Sequence, residues 1–133
     1  MNIEQEKKEI EKTIQLFFDG FDNFDASLIL QAFCNDKAKM YSAREPSGKK
    51  KINETPVNYW VKIFDDVKNQ PDNIWNKEKS IKNIVYIDVS GRAAQAKVEY
   101  IFSAYTYVDY YNLLKIENRW YITNKTFDTI YNE

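Results

Sequence analysis

Asp109-Tyr110-Tyr111-Asn112-Leu113-Leu114-Lys115-Ile116 is the stretch on which the fold turns. It lies inside a longer run, Ala93 to Phe127, that reads as two long strands and a return strand. Ala94, Ala96, Val98, Tyr100 and Phe102 alternate with polar residues on the first of these, Ala93 to Ala104. The next strand spans Tyr107 to Glu117. On it Tyr107, Tyr111 and Leu113 fall opposite Tyr110, Asn112, Leu114 and Ile116. We expect the second set to look inward, together with Trp120 and Ile122 of the return strand. Both faces are apolar or aromatic, whereas a sheet covered on one side alone shows one polar face.

Upstream, Ile81 to Val89 is expected as a strand with Val85, Ile87 and Val89 on one face, joined to the next by a hairpin at Ser90-Gly91-Arg92. A second turn is expected at Asn118, a residue that tolerates positive φ. Ahead of this meander the periodicity is helical. Ile3, Ile10, Ile14, Phe17 and Phe21 mark a helix over 3–20, with Gly20 as its stop. Asp25 caps a second helix, 26–33, with Leu28, Ile29, Ala32 and Phe33 inward. Residues 38–43 read as a short strand, Glu45-Pro46-Ser47-Gly48 as a turn, and Lys49-Lys50-Lys51 as an exposed strand edge. Thr55-Pro56 starts a third helix running to about Val67, with Trp60, Ile63, Phe64 and Val67 on one stripe. Residues 69–79 read as a loop from which Trp75 packs back. Three helices, then a bent antiparallel sheet, make an α+β cone with an internal pocket.

The chain has 133 residues, the size of one domain, so 1–133 is read as a single unit. Its 19 basic and 20 acidic residues leave a net charge of −1, which gives no electrostatic reason to hold nucleic acid or an anionic membrane. Cys34 stands alone, so no intramolecular disulfide forms. There is no histidine, which removes histidine triads, histidine metal ligands and an imidazole shuttle. No metal or cofactor is expected. The charged segment 1–12 lacks the apolar core of a secretory signal, and a cytoplasmic location is expected.

The segments Val108 to Ile116, Trp120-Tyr121-Ile122 and Lys125-Thr126-Phe127, preceded by Ile87 to Gly91 and Ala94 to Val98, resemble the lumazine-binding family of the nuclear-transport-factor-2-like superfamily, the cystatin-like cone fold. The likeness is strongest over residues 81–128; over 3–70 it lies in the order of elements. Asn118-Arg119 stands where the family has a glycine-containing turn, and Tyr111 where a smaller residue is usual. The resemblance implies a homodimer paired through the outer face of the sheet, with Tyr107, Tyr111 and Leu113 as its face. The superfamily includes steroid isomerases, whose catalytic positions look like Phe17, Tyr41 and Asn112 here. A phenylalanine cannot donate to an oxyanion, and a tyrosine is a poor base, so that reaction is not expected.

No catalytic residue is assigned. The reading is of a protein that binds a small planar or apolar molecule in an aromatic-lined pocket. Its candidate lining is Phe17, Tyr41, Trp60, Phe64, Tyr100, Tyr110, Leu114 and Trp120, with Asn112 as the polar anchor. Two alternatives stand beside it. One is an acid–base enzyme of cyclase, isomerase or dehydratase type using Tyr41 with Asp109 or a glutamate. The other is a dimeric protein-interaction module. Asp109 itself, opposite Asn112 in this reading, is expected to cap a turn or to bond at the dimer face. Asp65-Asp66 and Lys49 to Lys51 are read as solvated, and Cys34 as a small buried group.

Overall fold

A computed structural model describes residues 2–44 and 51–132. The expected turn at 45–48 and Lys49 and Lys50 lie outside the described residues. Helix α1 (Ile3–Asn23) and helix α2 (Ala26–Ala32) form an antiparallel pair, and strand β1 (Lys39–Arg44) follows. Strand β2 (Lys51–Pro56) leads through a 3-10 turn, Val57–Tyr59, into helices α3 (Trp60–Lys68) and α4 (Ile74–Lys77). Strands β3 (Ile81–Ser90), β4 (Ala93–Ile101), β5 (Tyr105–Ile116) and β6 (Arg119–Tyr131) complete the chain. They make one curved, unclosed sheet in the order β2-β1-β6-β5-β4-β3, antiparallel throughout except where β1 runs parallel to β6. The α+β architecture is as expected. Among the described residues, no helix is long and apolar enough to cross a membrane.

The helix ends differ from expectation for local reasons. Asn2 accepts from the Gln5 N–H and caps α1. The helix runs past Gly20 and stops at Phe24, whose φ of 51° is left-handed. Gly20 instead lets α2 approach, because a Cβ there would sit 2.7 Å from Ile29 Cγ1 and 2.9 Å from the Asp25 carbonyl oxygen. Ile3, expected inward, is exposed. Thr55 and Pro56 do not open α3. They end β2, which keeps pairing with β1 up to Lys39 opposite Pro56. Trp60, Phe64 and Val67 form the expected inward stripe of α3. In the β5–β6 turn it is Glu117, not Asn118, that has positive φ. Cys34 is only partly buried.

Two bulges reset which side chains face the helices. In β3, Ile84 stands opposite Val98 and Tyr86 opposite Lys97, so Val85 is the extra residue. Ile84, Ile87 and Val89 are turned inward, and Val85, expected beside them, is exposed. In β6, Asn124 stands opposite Asn112 and Ile122 opposite Leu113, so Thr123 is extra. Trp120 and Ile122 face inward before the bulge, Lys125 and Phe127 after it.

The helices are tied to the concave side by polar bonds. Trp120 donates its indole N–H to Glu6 Oε2 at 2.6 Å, Lys115 Nζ donates to Glu6 Oε1 at 2.7 Å, and Thr13 Oγ1 donates to the Trp120 carbonyl at 2.8 Å. Lys82 pairs with Asp22 at 2.6 Å further along α1. The bonds from Lys115 and Trp120 hold the Glu6 carboxyl below its ordinary range. A lowered carboxyl contributes stability above its unfolded-state pKa and loses it as pH falls through the folded-state value. Glu6→Gln is therefore expected to lower Tm at neutral pH, with the gap to the wild type closing in acid below about pH 4. Melting curves at stepped pH check this.

Candidate functional site

The concave side of the sheet holds a charged pair among rings. Asp109 on β5 and Lys125 on β6 meet at 2.8 Å with side chains 2% and 5% exposed. They are diagonal neighbours across the ladder, since Asp109 faces Phe127 and Tyr111 faces Lys125. Lys125 Nζ lies 4.8 Å from the Phe17 ring centre, 4.7 Å from Phe127 and 5.8 Å from Trp60, within cation–π range of all three. Tyr111 donates to Asp109 Oδ2 at 3.3 Å, and Tyr100 stands 2.5 Å from the Tyr111 hydroxyl. Burial pushes both phenols well above the ordinary tyrosine range. Each therefore stays protonated at any physiological pH, and the chain runs Tyr100 to Tyr111 to Asp109 as donor to acceptor.

Every hydrogen bond that Asp109 makes through its side chain among the described residues uses Oδ2. No buried side-chain nitrogen or oxygen among them lacks a partner. The second oxygen, Oδ1, accepts no side-chain hydrogen bond among the described residues, and Asp109 and Lys125 both line the adjoining cavity.

That cavity measures about 180 Å³. Phe17, Phe21 and Trp60 form its helical wall, and Tyr100, Tyr107 and Phe127 its sheet wall. Met40, Thr55, Ile63 and Trp75 complete the rim. The rings meet edge to face or tilted: Phe17 on Trp60 at 5.8 Å and 88°, Phe21 on Trp75 at 4.7 Å. Helix α4, read as loop from the sequence, exists to carry Trp75 inward. Its indole donates to the Tyr105 hydroxyl at 3.3 Å, which in turn bonds Tyr107 at 3.1 Å. Trp60 donates its indole N–H to Met40 Sδ.

Of the residues expected to line the pocket, Phe17, Trp60 and Tyr100 do so. Phe64 and Trp120 are buried in the core instead. The expected phase of β5 is inverted. Tyr111 and Leu113, expected at a dimer face, are buried on the concave side, and Tyr107 lines the cavity. Tyr110, Asn112 and Leu114 are exposed on the convex side. There Asn112 donates to Asn124 Oδ1, so it anchors nothing in the cavity. Tyr41 also looks outward, into a shallow convex groove with Ile52, Tyr110 and Ile130. Of the isomerase-like positions Phe17, Tyr41 and Asn112, only Phe17 reaches the cavity. Sequence reasoning offers Asp109 only as an acid–base alternative beside Tyr41, on the face opposite Asn112, and does not single out Lys125 as a site residue, because a charge argues for an outer face.

The comparisons agree with this fold. A family model described as "Putative lumazine-binding" matches residues 5–128. The chain belongs to this family. Solved structures similar to this family member include an NTF2-like protein of unknown function from Shewanella baltica OS155, with 22% identity, 97% of each chain covered and a TM-score of 0.78. A second, from Silicibacter pomeroyi DSS-3, has 16% identity, 97% and 99% coverage and a TM-score of 0.74. A cystatin-like domain of unknown function from Nostoc punctiforme matches at 9% identity and a TM-score of 0.65, covering 96% of this chain and 78% of its own. No curated protein matches. Family membership, the NTF2-like fold and the concave aromatic cluster together point to ligand binding.

The buried pair generates a stability test. Removing one member of such a pair strands the other charge and costs about 3–5 kcal/mol, whereas an apolar replacement of both is close to neutral. Lys125→Met is therefore expected to lose about 3–5 kcal/mol, and Asp109→Leu with Lys125→Met to recover most of it. Urea unfolding of the two variants measures both.

Proposed function

We propose that this protein binds a small planar molecule in the cone cavity, with its polar edge on Asp109 and Lys125. The observation that carries the reading is Asp109 Oδ1, without a side-chain hydrogen bond among the described residues, beside a ring-caged ammonium in an otherwise apolar cavity. A half-used carboxylate is a hydrogen-bond acceptor waiting for a donor. The ammonium already occupies the cation position among the rings, which selects a neutral or anionic guest over a cationic one. A volume of about 180 Å³ lies below the roughly 300–1,000 Å³ of drug-sized sites, so the guest is small. Bicyclic heterocycles with a ring N–H, lumazine among them, fit this description. At a hundredfold excess over Kd, such a ligand is expected to raise Tm by on the order of 10 °C. It is also expected to quench the fluorescence of Trp60 and Trp75. A panel of pterins and lumazines giving neither effect would count against the proposal, as would equal binding by Asp109→Asn.

A homodimer through the convex face is part of the same proposal, with different residues from those the sequence suggested. Val85, Tyr86, Tyr110, Leu114, Ile116 and Ile130 are large, apolar and exposed there. An outer sheet face of that composition supports association. Tyr110→Lys combined with Leu114→Lys is expected to shift sedimentation from dimer to monomer at micromolar concentration. The lone cysteine supports a cytoplasmic setting for this protein.

A further inference from the structure

We infer that Lys125 is a reactive amine that condenses reversibly with a small aryl aldehyde in the cavity, with Asp109 as proton carrier and counter-ion. The inference rests on reading the cavity as a ligand site, and adds to it a covalent bond. Three observations carry it. Lys125 lines the cavity, and its side chain is 5% exposed. Its sole hydrogen-bond partner among the described residues is Asp109 Oδ2 at 2.8 Å, so a proton acceptor stands at transfer distance. Nζ also lies over the rings of Phe17, Phe127 and Trp60, which pack well against a planar unsaturated cation.

The chemistry balances without a co-reactant. The ammonium passes one proton to Asp109 Oδ2, and the free amine attacks the carbonyl carbon while the carbonyl π electrons move to oxygen. Asp109 returns its proton to that oxygen and takes one of the two left on nitrogen, giving a neutral carbinolamine. Asp109 then gives this second proton to the hydroxyl, which leaves as water while the nitrogen lone pair closes the C=N bond. Ammonium plus aldehyde becomes iminium plus water, and Asp109 ends as it began, ionised. One positive charge is therefore kept at one place. The carboxylate and the rings that hold the ammonium hold the iminium without rearrangement, which is electrostatic preorganisation of the product. Tyr111, kept protonated by burial, remains a donor to Asp109 throughout.

The test uses the full chain, benzaldehyde as probe and sodium cyanoborohydride as trap, with peptide mapping by mass spectrometry. Benzylation of Lys125 is expected about tenfold or more faster than that of exposed lysines such as Lys8 and Lys37, from proximity to its proton carrier in the cavity. Asp109→Asn should slow labelling of Lys125 and leave the exposed lysines unchanged. Lys125→Arg should abolish the cavity label. If these variants unfold, the site map of the wild type decides alone. Benzyl alcohol, which has the ring but no carbonyl, separates the two readings. A rise in Tm with benzyl alcohol and no preference for Lys125 overturns the covalent inference and keeps the binding site. No preference, and no rise with benzyl alcohol or with the pterin and lumazine panel, overturns both.

Discussion

Asp109 and Lys125 can lie inside the cone only as a pair. An isolated ion of either sign would face a desolvation penalty of several kcal/mol in this setting. Together, with a phenol on the carboxylate and rings around the ammonium, they are tolerated at 2.8 Å. The pair also lines the adjoining cavity and gives it polarity.

The rest of the molecule holds this arrangement in place. Glu6 grips Trp120 and Lys115 at one end of α1, and Lys82 grips Asp22 near the other. Between them the apolar stripe Ile10, Ile14, Phe17 and Phe21 is laid along the sheet. Gly20 lets α2 close in behind it. Strand β1 then brings Met40 opposite Lys125, β2 delivers Thr55 and α3 delivers Trp60 to the cavity.

Much of the fold is legible in the sequence, and the reason differs by element. On β4, Gln95, Lys97 and Glu99 alternate with Ala94, Ala96, Val98 and Tyr100, so the inward face is marked. On β5 no such contrast exists. Tyr110, Leu114 and Ile116 are as apolar as Tyr107, Tyr111 and Leu113, and the only carboxylate, Asp109, sits on the inner face. Hydrophobicity therefore selects the wrong phase. The bulges at Val85 and Thr123 carry no glycine to announce them. Phe17, Trp60 and Tyr100 were legible as lining because their elements were placed correctly. Lys125 was not, and Asp109 was legible only as an alternative acid–base residue, because each is explained only by the other, and their pairing depends on a register that alternation does not encode.

The extra residue at Thr123 has a consequence beyond geometry. Counting from the inward pair Trp120 and Ile122 by strict alternation, Asn124, Thr126 and Asp128 would be the next to face the helices. The insertion hands that role to Lys125 and Phe127 instead. Absorbing Thr123 into the regular ladder would exchange the entire lower lining at a stroke, turning an ammonium and a ring into an amide, a hydroxyl and a carboxylate, whereas losing Thr123 together with its bulge would keep it. The placement of a bulge in a strand is thus a route by which one scaffold acquires unrelated ligand chemistries while its helices and outer strands stay as they are.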